Sequence, residues 1–504
     1  MRKYILLFTL VPFFTLQLNA QKVFTMGTNK MKLEVAANQA ELMYTKDKKT
    51  YLICPENPVS GSKRGKRSLM IFDNKGKKEA VKNIVIDNDA KKLHDIEKVM
   101  FINSKVFCIH SFYDKTEKKY SLYQTTLAET DGQPESLGRE VLSLETKNPE
   151  VIQGIDVVFS NDSSKIMVMV YENASSSKNL KLNLHCLVFN KEDFSFDRDN
   201  IFNIEMASKG LIRAKATISN QSTIYVMAES RVKKSNTWSQ TLSLYYRDNE
   251  DAQQSVEFGK GDMKNISIFD LRFDRKENLV LAGMFSNKAN LDFISGGFVY
   301  IFDVAKNEFK ETTVFDNDDD LSGLIRKVQD PSNAKDLIRP AKFNLYIDQA
   351  NNYFLVGQQY DDFKEYADEL KSEVFVNPDA RSLYTNIMVN CANSSGKILW
   401  HKGFTGKVLF NIWDNNRLNI LSQEERELRL MSLAPDKSVK FSKGAAPTEP
   451  DHKLDTRCML YIGDGRIGAI GHAMTGSGGF YLDYFDLTSI DVKGKPEVEK
   501  KKKK

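Results

Sequence analysis

Gly463-Asp464-Gly465-Arg466-Ile467-Gly468 is a literal G-x-G-x-x-G, and Asp483 stands near where a ribose-binding acid would follow it. That motif holds a pyrophosphate only when a helix begins behind it, because the helix N-terminus supplies the N–H groups. Here the following residues alternate as a strand, so Asp464-Gly465 reads as a type I′ hairpin turn and dinucleotide chemistry is disfavoured. Asp316-Asn317-Asp318-Asp319-Asp320 sets oxygens at alternate positions, as calcium loops do, but an EF-hand needs glycine at its sixth place and an acid at its twelfth. Leu321 and Lys327 occupy those places, leaving a non-EF calcium loop or a solvated acidic cap of a following helix. Cys108 and His110 point to one strand face, and His185 and Cys186 to opposite faces. The remaining histidines, His94, His401, His452 and His472, show no spacing that brings three or four zinc ligands together. The basic run Lys63-Arg64-Gly65-Lys66-Arg67 reads as an anion grip, a protease-sensitive loop or a solvated hairpin. No G-x-S-x-G, H-E-x-x-H or phosphate loop occurs, so local catalytic signatures are absent; residues that converge only in the fold remain open.

These residues sit within a recurring unit of apolar strand, tight polar turn, apolar strand, longer polar loop, third strand, turn and fourth strand. The first turns are Lys46–Thr50, Asn103–Lys105, Asn161–Lys165, Asn220–Thr223, Asp274–Asn278, Gln349–Asn352, Asn415–Arg417 and Asp464–Arg466. Their ends lie 49 to 74 residues apart. Four short strands with their turns need about 40 to 50 residues, the size of one propeller blade. The expected fold is all-β: a β-propeller of eight four-stranded blades, or seven if one unit merges with its neighbour. Innermost strands are expected near Glu41–Tyr44, Lys98–Ile102, Asp156–Phe159, Ala214–Ile218, Ser267–Phe273, Phe343–Ile347, Leu409–Trp413 and Met459–Ile462. The fifth unit reads as strands at Ile266–Phe273, Leu279–Ser286, Gly297–Asp303 and Phe309–Phe315. Gly283, Gly357 and Gly471 hold equivalent places in second strands, where a glycine permits close backbone approach. The last unit lacks a good fourth strand, Thr488–Val492 being a poor candidate, so residues 22–40 are expected to complete it and close the ring.

Ser395-Gly396-Lys397-Ile398-Leu399-Trp400-His401-Lys402-Gly403-Phe404, with the N-x-x-x-x-G of the same unit, resembles bacterial propeller repeats in which a glycine turn leads to a Leu-Trp outer strand. The resemblance implies a fold and no activity, because propellers host scaffolds, lectins, hydrolases and lyases.

Residues 1–20 combine Arg2 and Lys3, an apolar run from Tyr4 to Leu16 and the exit Leu18-Asn19-Ala20, the form of a secretory signal peptide. No cysteine follows Ala20, so the mature chain is expected outside the cytoplasm, periplasmic or secreted, and not as a lipoprotein. No later stretch approaches a membrane-spanning length of apolar residues. The expected domains are a signal at 1–20, the propeller at 21–492 and a disordered basic tail at 493–504. Lys500–Lys504 account for the whole net charge of +5, and without Arg2 and Lys3 the body stands at −2, which disfavours nucleic acid as a partner. Five scattered cysteines, Cys54, Cys108, Cys186, Cys391 and Cys458, make no disulfide framework and read as buried thiols.

Two stretches break the strand pattern with helical spacing: Leu321, Leu324, Ile325 and Val328, then Phe363, Tyr366, Leu370 and Val374. They predict helical inserts at 321–340, between blades 5 and 6, and at 361–376, within blade 6. Because strand direction alternates, b–c and d–a connections emerge on one face and a–b and c–d turns on the other. Both inserts therefore share a face, either covering an apolar patch or walling a recognition surface together with Asn173–Lys181 and Arg231–Gln240. Trp238, Arg326, Arg339 and Tyr366 are the candidate partner contacts, since aromatics and arginines carry most interface energy. Two functions follow. The first is an extracytoplasmic, monomeric, non-enzymatic propeller that binds a protein, glycan or other cell-envelope component without a cofactor or metal. The alternative is a propeller hydrolase or lyase acting on carbohydrate.

Overall fold

The computed structural model describes residues 24–31, 42–55, 67–73, 78–86, 94–136, 138–175, 179–207, 210–234, 237–247, 253–257, 265–287, 293–317, 337–338, 340, 342–360, 384–405, 407–414, 417–424, 427–441, 452–463, 466–473 and 480–486. They form eight four-stranded antiparallel sheets and one two-stranded pair. In each sheet the strands are lettered a to d. Sheet 1 is Leu42–Lys46, Lys49–Pro55, Arg67–Phe72 and Lys78–Ile84; sheet 2 is Asp95–Ile102, Lys105–Asp114, Lys119–Leu127 and Arg139–Glu145. Sheet 3 is Ile152–Phe159, Lys165–Asn173, Asn179–Asn190 and Phe196–Ala207; sheet 4 is Gly210–Ile218, Ile224–Lys234, Thr237–Arg247 and Gln254–Glu257. Sheet 5 is Asn265–Phe273, Leu279–Ser286, Gly296–Asp303 and Glu308–Asp316; sheet 6 is Lys342–Ile347, Tyr353–Tyr360, Tyr384–Ala392 and Ile398–Thr405. Sheet 7 is Lys407–Asp414, Arg417–Glu424, Glu427–Leu433 and Val439–Phe441. Sheet 8 takes His452–Gly463, Arg466–Ala473 and Phe480–Asp486 as a to c, and its d strand is Phe24–Met31 from the other end of the chain.

That last pairing is the closure expected from residues 22–40: Phe24 stands opposite Tyr484, Thr25 opposite Asp483 and Met26 opposite Leu482. The a strands of sheets 1 and 2 are neighbours, as are those of 3 and 4, 4 and 5, 5 and 6, 7 and 8, and finally 8 and 1. Apolar layers join each sheet to the next from sheet 1 to sheet 7. Alternation along each strand feeds both of its faces. In strand b of sheet 3, Met167 and Met169 pack toward sheet 4 while Val168 and Val170 pack toward sheet 2.

Local chemistry explains the turns. Asp274 Oδ1 accepts the N–H groups of Lys276 and Asn278 while Asn278 Nδ2 returns to Asp274 Oδ2. Asp348 and Asn352 repeat the arrangement in sheet 6, so D-x-x-x-N writes the turn. In sheets 1 and 2 the a–b turns hold Asp47, Lys48, Asn103 and Ser104 at positive φ, the two-residue type I′ geometry. Gly396, at φ +80°, closes the turn before the Leu-Trp strand; Trp400 is buried and donates to the carbonyl of Pro435, while Leu399 faces outward. At Gly283 a Cβ would meet the Ile268 carbonyl at 2.3 Å, which fits the close approach expected there.

Sheet 5 matches its sequence reading within one residue at every strand end. Cys54, Cys108, Cys186 and Cys391 are buried free thiols, and Cys458 lies in strand a of sheet 8. Two expectations need correction. Arg231–Gln240 is not a loop but the far end of a b–c hairpin, pairing Arg231 with Gln240 and Lys233 with Trp238. The 321–340 insert is not helical to its end, because Leu337–Ile338 is extended and pairs with Phe293–Ile294. The rest of the 321–340 helix and all of the 361–376 helix lie outside the described residues, among which the sole helix is the single 3-10 turn Pro149–Val151. Residues 1–20, 63–66 and 493–504 lie outside them too.

Candidate functional site

The two ends of the circuit are built differently. On the a–b side the turns bond to one another: Asp162 N–H to Asn220 Oδ1 at 2.9 Å, Asn220 Nδ2 to Glu277 Oε1 at 2.8 Å, and Arg275 N–H to Asn351 Oδ1 at 2.8 Å. Asn161 of sheet 3 reaches past sheet 4 to the carbonyl of Asp274 in sheet 5, at 2.9 Å. A turn can skip a sheet only where the turns converge on a common axis, so this side forms a cross-linked floor beneath the a strands of sheets 3 to 6. Burial lifts the Glu277 carboxyl above its ordinary range, with Asp162 adding to the effect.

Above that floor the a strands of sheets 4 and 5 carry a column of charge. Arg213 and Lys215 lie two apart on one face of strand a in sheet 4, Glu229 and Arg231 two apart on strand b, and Asp270 and Arg272 two apart on strand a of sheet 5. Glu229 is 1% exposed and holds two guanidinium groups: Arg213 Nε donates to its Oε2 at 2.8 Å, and Arg231 Nε donates to its Oε1. Gln240 also donates to Glu229, and its amide spans to sheet 5 by taking the Ile266 N–H and donating to the Ile266 carbonyl, both at 2.8 Å. Ile266 borders a bulge in that strand, where its register with strand b shifts. Asp270 pairs with Lys215 at 3.5 Å and Arg272 at 3.3 Å and accepts the Leu345 N–H at 2.9 Å. Burial alone would raise its carboxyl, but those two cations and the backbone donor hold it below the ordinary value. The chain of contacts runs on through Tyr346, whose ring lies 5.9 Å from the Arg272 guanidinium and whose hydroxyl accepts from Asn411 at 2.8 Å. Lys215 and Arg272 keep about half of their side chains exposed, at 45% and 50%.

Two histidine groups are structural. His185, buried between sheets 2 and 3, lies 3.4 Å from Asp199 Oδ2 and 3.2 Å from Glu172 Oε2, and Asn183 Nδ2 donates to the same Glu172 oxygen at 2.7 Å. Burial would lower its pKa, yet the Asp199 and Glu172 carboxylates raise it to about 9. His110 faces sheet 1, its Nδ1 2.9 Å from His94 Nδ1 and its ring stacked on Tyr123; burial, helped by His94, lowers it to about 3. The pH consequences have opposite signs. A raised pKa gives His185 a contribution that is full below the unfolded value near 6.5 and lost as pH climbs through 9. A depressed one gives His110 a contribution that is present above 6.5 and lost as pH falls toward 3. Denaturant unfolding is expected to show stability falling by about 1–3 kcal/mol from pH 6.5 to 9.5, with that slope removed in His185→Gln. An equal slope in the variant would show that His185 does not carry it.

The residues singled out from sequence fare unevenly. Trp238 lies in strand c of sheet 4 opposite Lys233, and Arg326, Arg339 and Tyr366 lie outside the described residues. Strand b of sheet 8 follows the G-x-G-x-x-G turn, as the hairpin reading required. Asn317 donates its amide to the Ile294 carbonyl, and Asp318, Asp319 and Asp320 lie outside the described residues. Among the described residues no group of three or more His, Cys, Asp or Glu side chains is placed to hold a metal ion. The charge column was missed, although Arg213-x-Lys215, Glu229-x-Arg231 and Asp270-x-Arg272 put paired charges on single faces of otherwise apolar strands, a readable signal.

No known protein family matches the chain, and no curated protein does. Among solved structures it is similar to polysaccharide lyase Uly1, at 9% identity and TM-score 0.43 over 89% of this chain and 90% of that one. It is also similar to the β-propeller domain of the Trilobed protease from Pyrococcus furiosus, at 11% identity and TM-score 0.37 over 92% and 98%. The WD40 domain of SCAP from fission yeast matches at 7% identity and TM-score 0.40 over 92% and 94%. No described helix is long and apolar enough to cross a membrane.

Proposed function

We propose that each sheet is one blade of an eight-bladed propeller spanning residues 21–492, exported by the signal at 1–20, which binds a glycan or protein of the cell envelope. The b–c/d–a side is its recognition side. The observation that carries this reading is that the a–b turns of sheets 3 to 6 bond to one another into a floor, which leaves the other end of the strands for recognition. Binding is favoured over hydrolysis or lysis because Glu229, Asp270 and His185 are each held by hydrogen bonds within the protein.

Replacing Asp361–Ser382 with a short Gly-Ser loop tests the choice of side. The protein is expected to keep its fold, since loop length costs little, and to lose retention of its envelope ligand in a sedimentation assay with envelope material. Unchanged retention would place the site elsewhere and leave the insert as cover.

A further inference from the structure

His94 and His110 are 4% and 0% exposed, and their Nδ1 atoms stand 2.9 Å apart. A contact of that length between two ring nitrogens holds one hydrogen, so one imidazole donates and the other must keep its lone pair. His94 ends the link between strand d of sheet 1 and strand a of sheet 2, and its N–H donates to the Ile86 carbonyl near the start of that link, at 2.8 Å. His110 lies on strand b of sheet 2, on the face turned to sheet 1. The pair therefore fastens the link to the sheet that follows it. Aromatic rings surround the contact: His94 stacks on Phe112 at 5.2 Å and tilts against Tyr123 at 5.0 Å, and His110 stacks on Tyr123 at 5.4 Å. His110 Nε2 is buried and has no hydrogen-bond partner among the described residues.

The described surroundings do little for an added positive charge. On strand b the same face carries the buried thiol of Cys108 and, at the far end, Asp114, whose Oδ1 accepts the N–H groups of Thr116 and Glu117 in the turn. On strand c the Tyr123 hydroxyl donates to Glu140 of strand d at 3.2 Å, and Lys119 pairs with the same carboxylate at 3.3 Å. On strand a, Asp95 stands opposite Ser111, and Glu97 accepts from the Ser111 hydroxyl at 2.6 Å; alternation puts Ser111 on the other face from His110. From sheet 1, Arg67 donates to the Ile96 carbonyl at 2.8 Å, so the charge that this sheet brings is itself positive.

We propose that the His94–His110 pair is an acid-released latch, which holds the sheet 1–sheet 2 link against sheet 2 while the imidazoles are neutral and lets it go when both take up protons from solvent. Protonation at the bare nitrogens makes both Nδ1 atoms donors, so the contact that held one hydrogen must hold two, between like charges. The sign agrees with the burial of the pair: burial and His94 depress His110 from 6.5 to about 3, so the hold is complete above 6.5 and is lost as pH falls toward 3.

Hydrogen exchange of the parent at about pH 7 and about pH 4.5, corrected for the intrinsic amide rate, reads the latch locally. Residues 95–96 and 110–112 are expected to lose protection by roughly 10- to 100-fold at the lower pH, the factor by which two pH units below an imidazole value near 6.5 favour the open, protonated form. Leu279–Ser286 of sheet 5, buried throughout, is the internal reference and is expected to change little. In His94→Phe/His110→Phe, which removes both titrating rings and keeps aromatic bulk beside Phe112 and Tyr123, protection of the same residues is expected to be equal at the two pH values. Glu97, Asp114 and Glu140 remain in that variant, so a persistent response there assigns the effect to carboxylates and overturns the proposal. An equal loss in sheet 2 and in Leu279–Ser286, or no loss in residues 95–96 and 110–112, overturns it as well, and these measurements on the parent decide the matter if the double variant does not fold.

Discussion

A chain lacking residues 22–40 is expected to aggregate and to melt about 5 °C or more below the parent. Phe24–Met31 is the fourth strand of sheet 8, and without it the N–H and C=O groups of Phe480–Asp486 that face it become an open sheet edge. An exposed edge is a template for another copy of the same chain, so the loss reaches beyond the hydrogen bonds themselves, each worth about 1 kcal/mol net. It also leaves sheets 8 and 1 joined through their neighbouring a strands and no longer through a sheet shared by the first and last segments of the chain. Light scattering and thermal unfolding read the two effects separately. Full solubility with unchanged melting would show that the fourth strand is dispensable and that closure lies elsewhere.

The second large effect belongs to Glu229. Glu229→Gln keeps the shape and removes the charge that Arg213 and Arg231 share, leaving two largely buried guanidinium groups without their carboxylate; a loss of about 3–5 kcal/mol is expected. Adding Arg231→Met to Glu229→Gln should recover part of it, because the second change removes one of the uncompensated charges. Urea titrations of the parent, both single variants and the double variant give the coupling directly. Strictly additive losses would mean that the carboxylate and Arg231 do not depend on each other.

Glu229 is shared by Arg213 and Arg231, which is why its removal is costly. Salt should therefore stabilise the Glu229→Gln variant more than the parent, since screening and ion binding act on the larger uncompensated charge.

By itself the sequence determined the architecture, because the signals that set it are local. Period-two alternation assigns both faces of a strand, and turns such as Asp274–Asn278 and Asp348–Asn352 are closed by side chains two to four residues from the groups they bond. Even the closure through the N-terminus was legible, because sheet 8 offers three good strands and an unpartnered edge must be covered. What only the tertiary structure decided is which charges meet. Asp270 and Leu345 are 75 residues apart, and Asn161 and Asp274 are 113 apart. No local rule links such residues, since their encounter depends on how neighbouring sheets rotate about the common axis. The same reason accounts for Arg231–Gln240: its polar residues mark a loop by composition, yet pairing with the rest of strands b and c extends the hairpin through them.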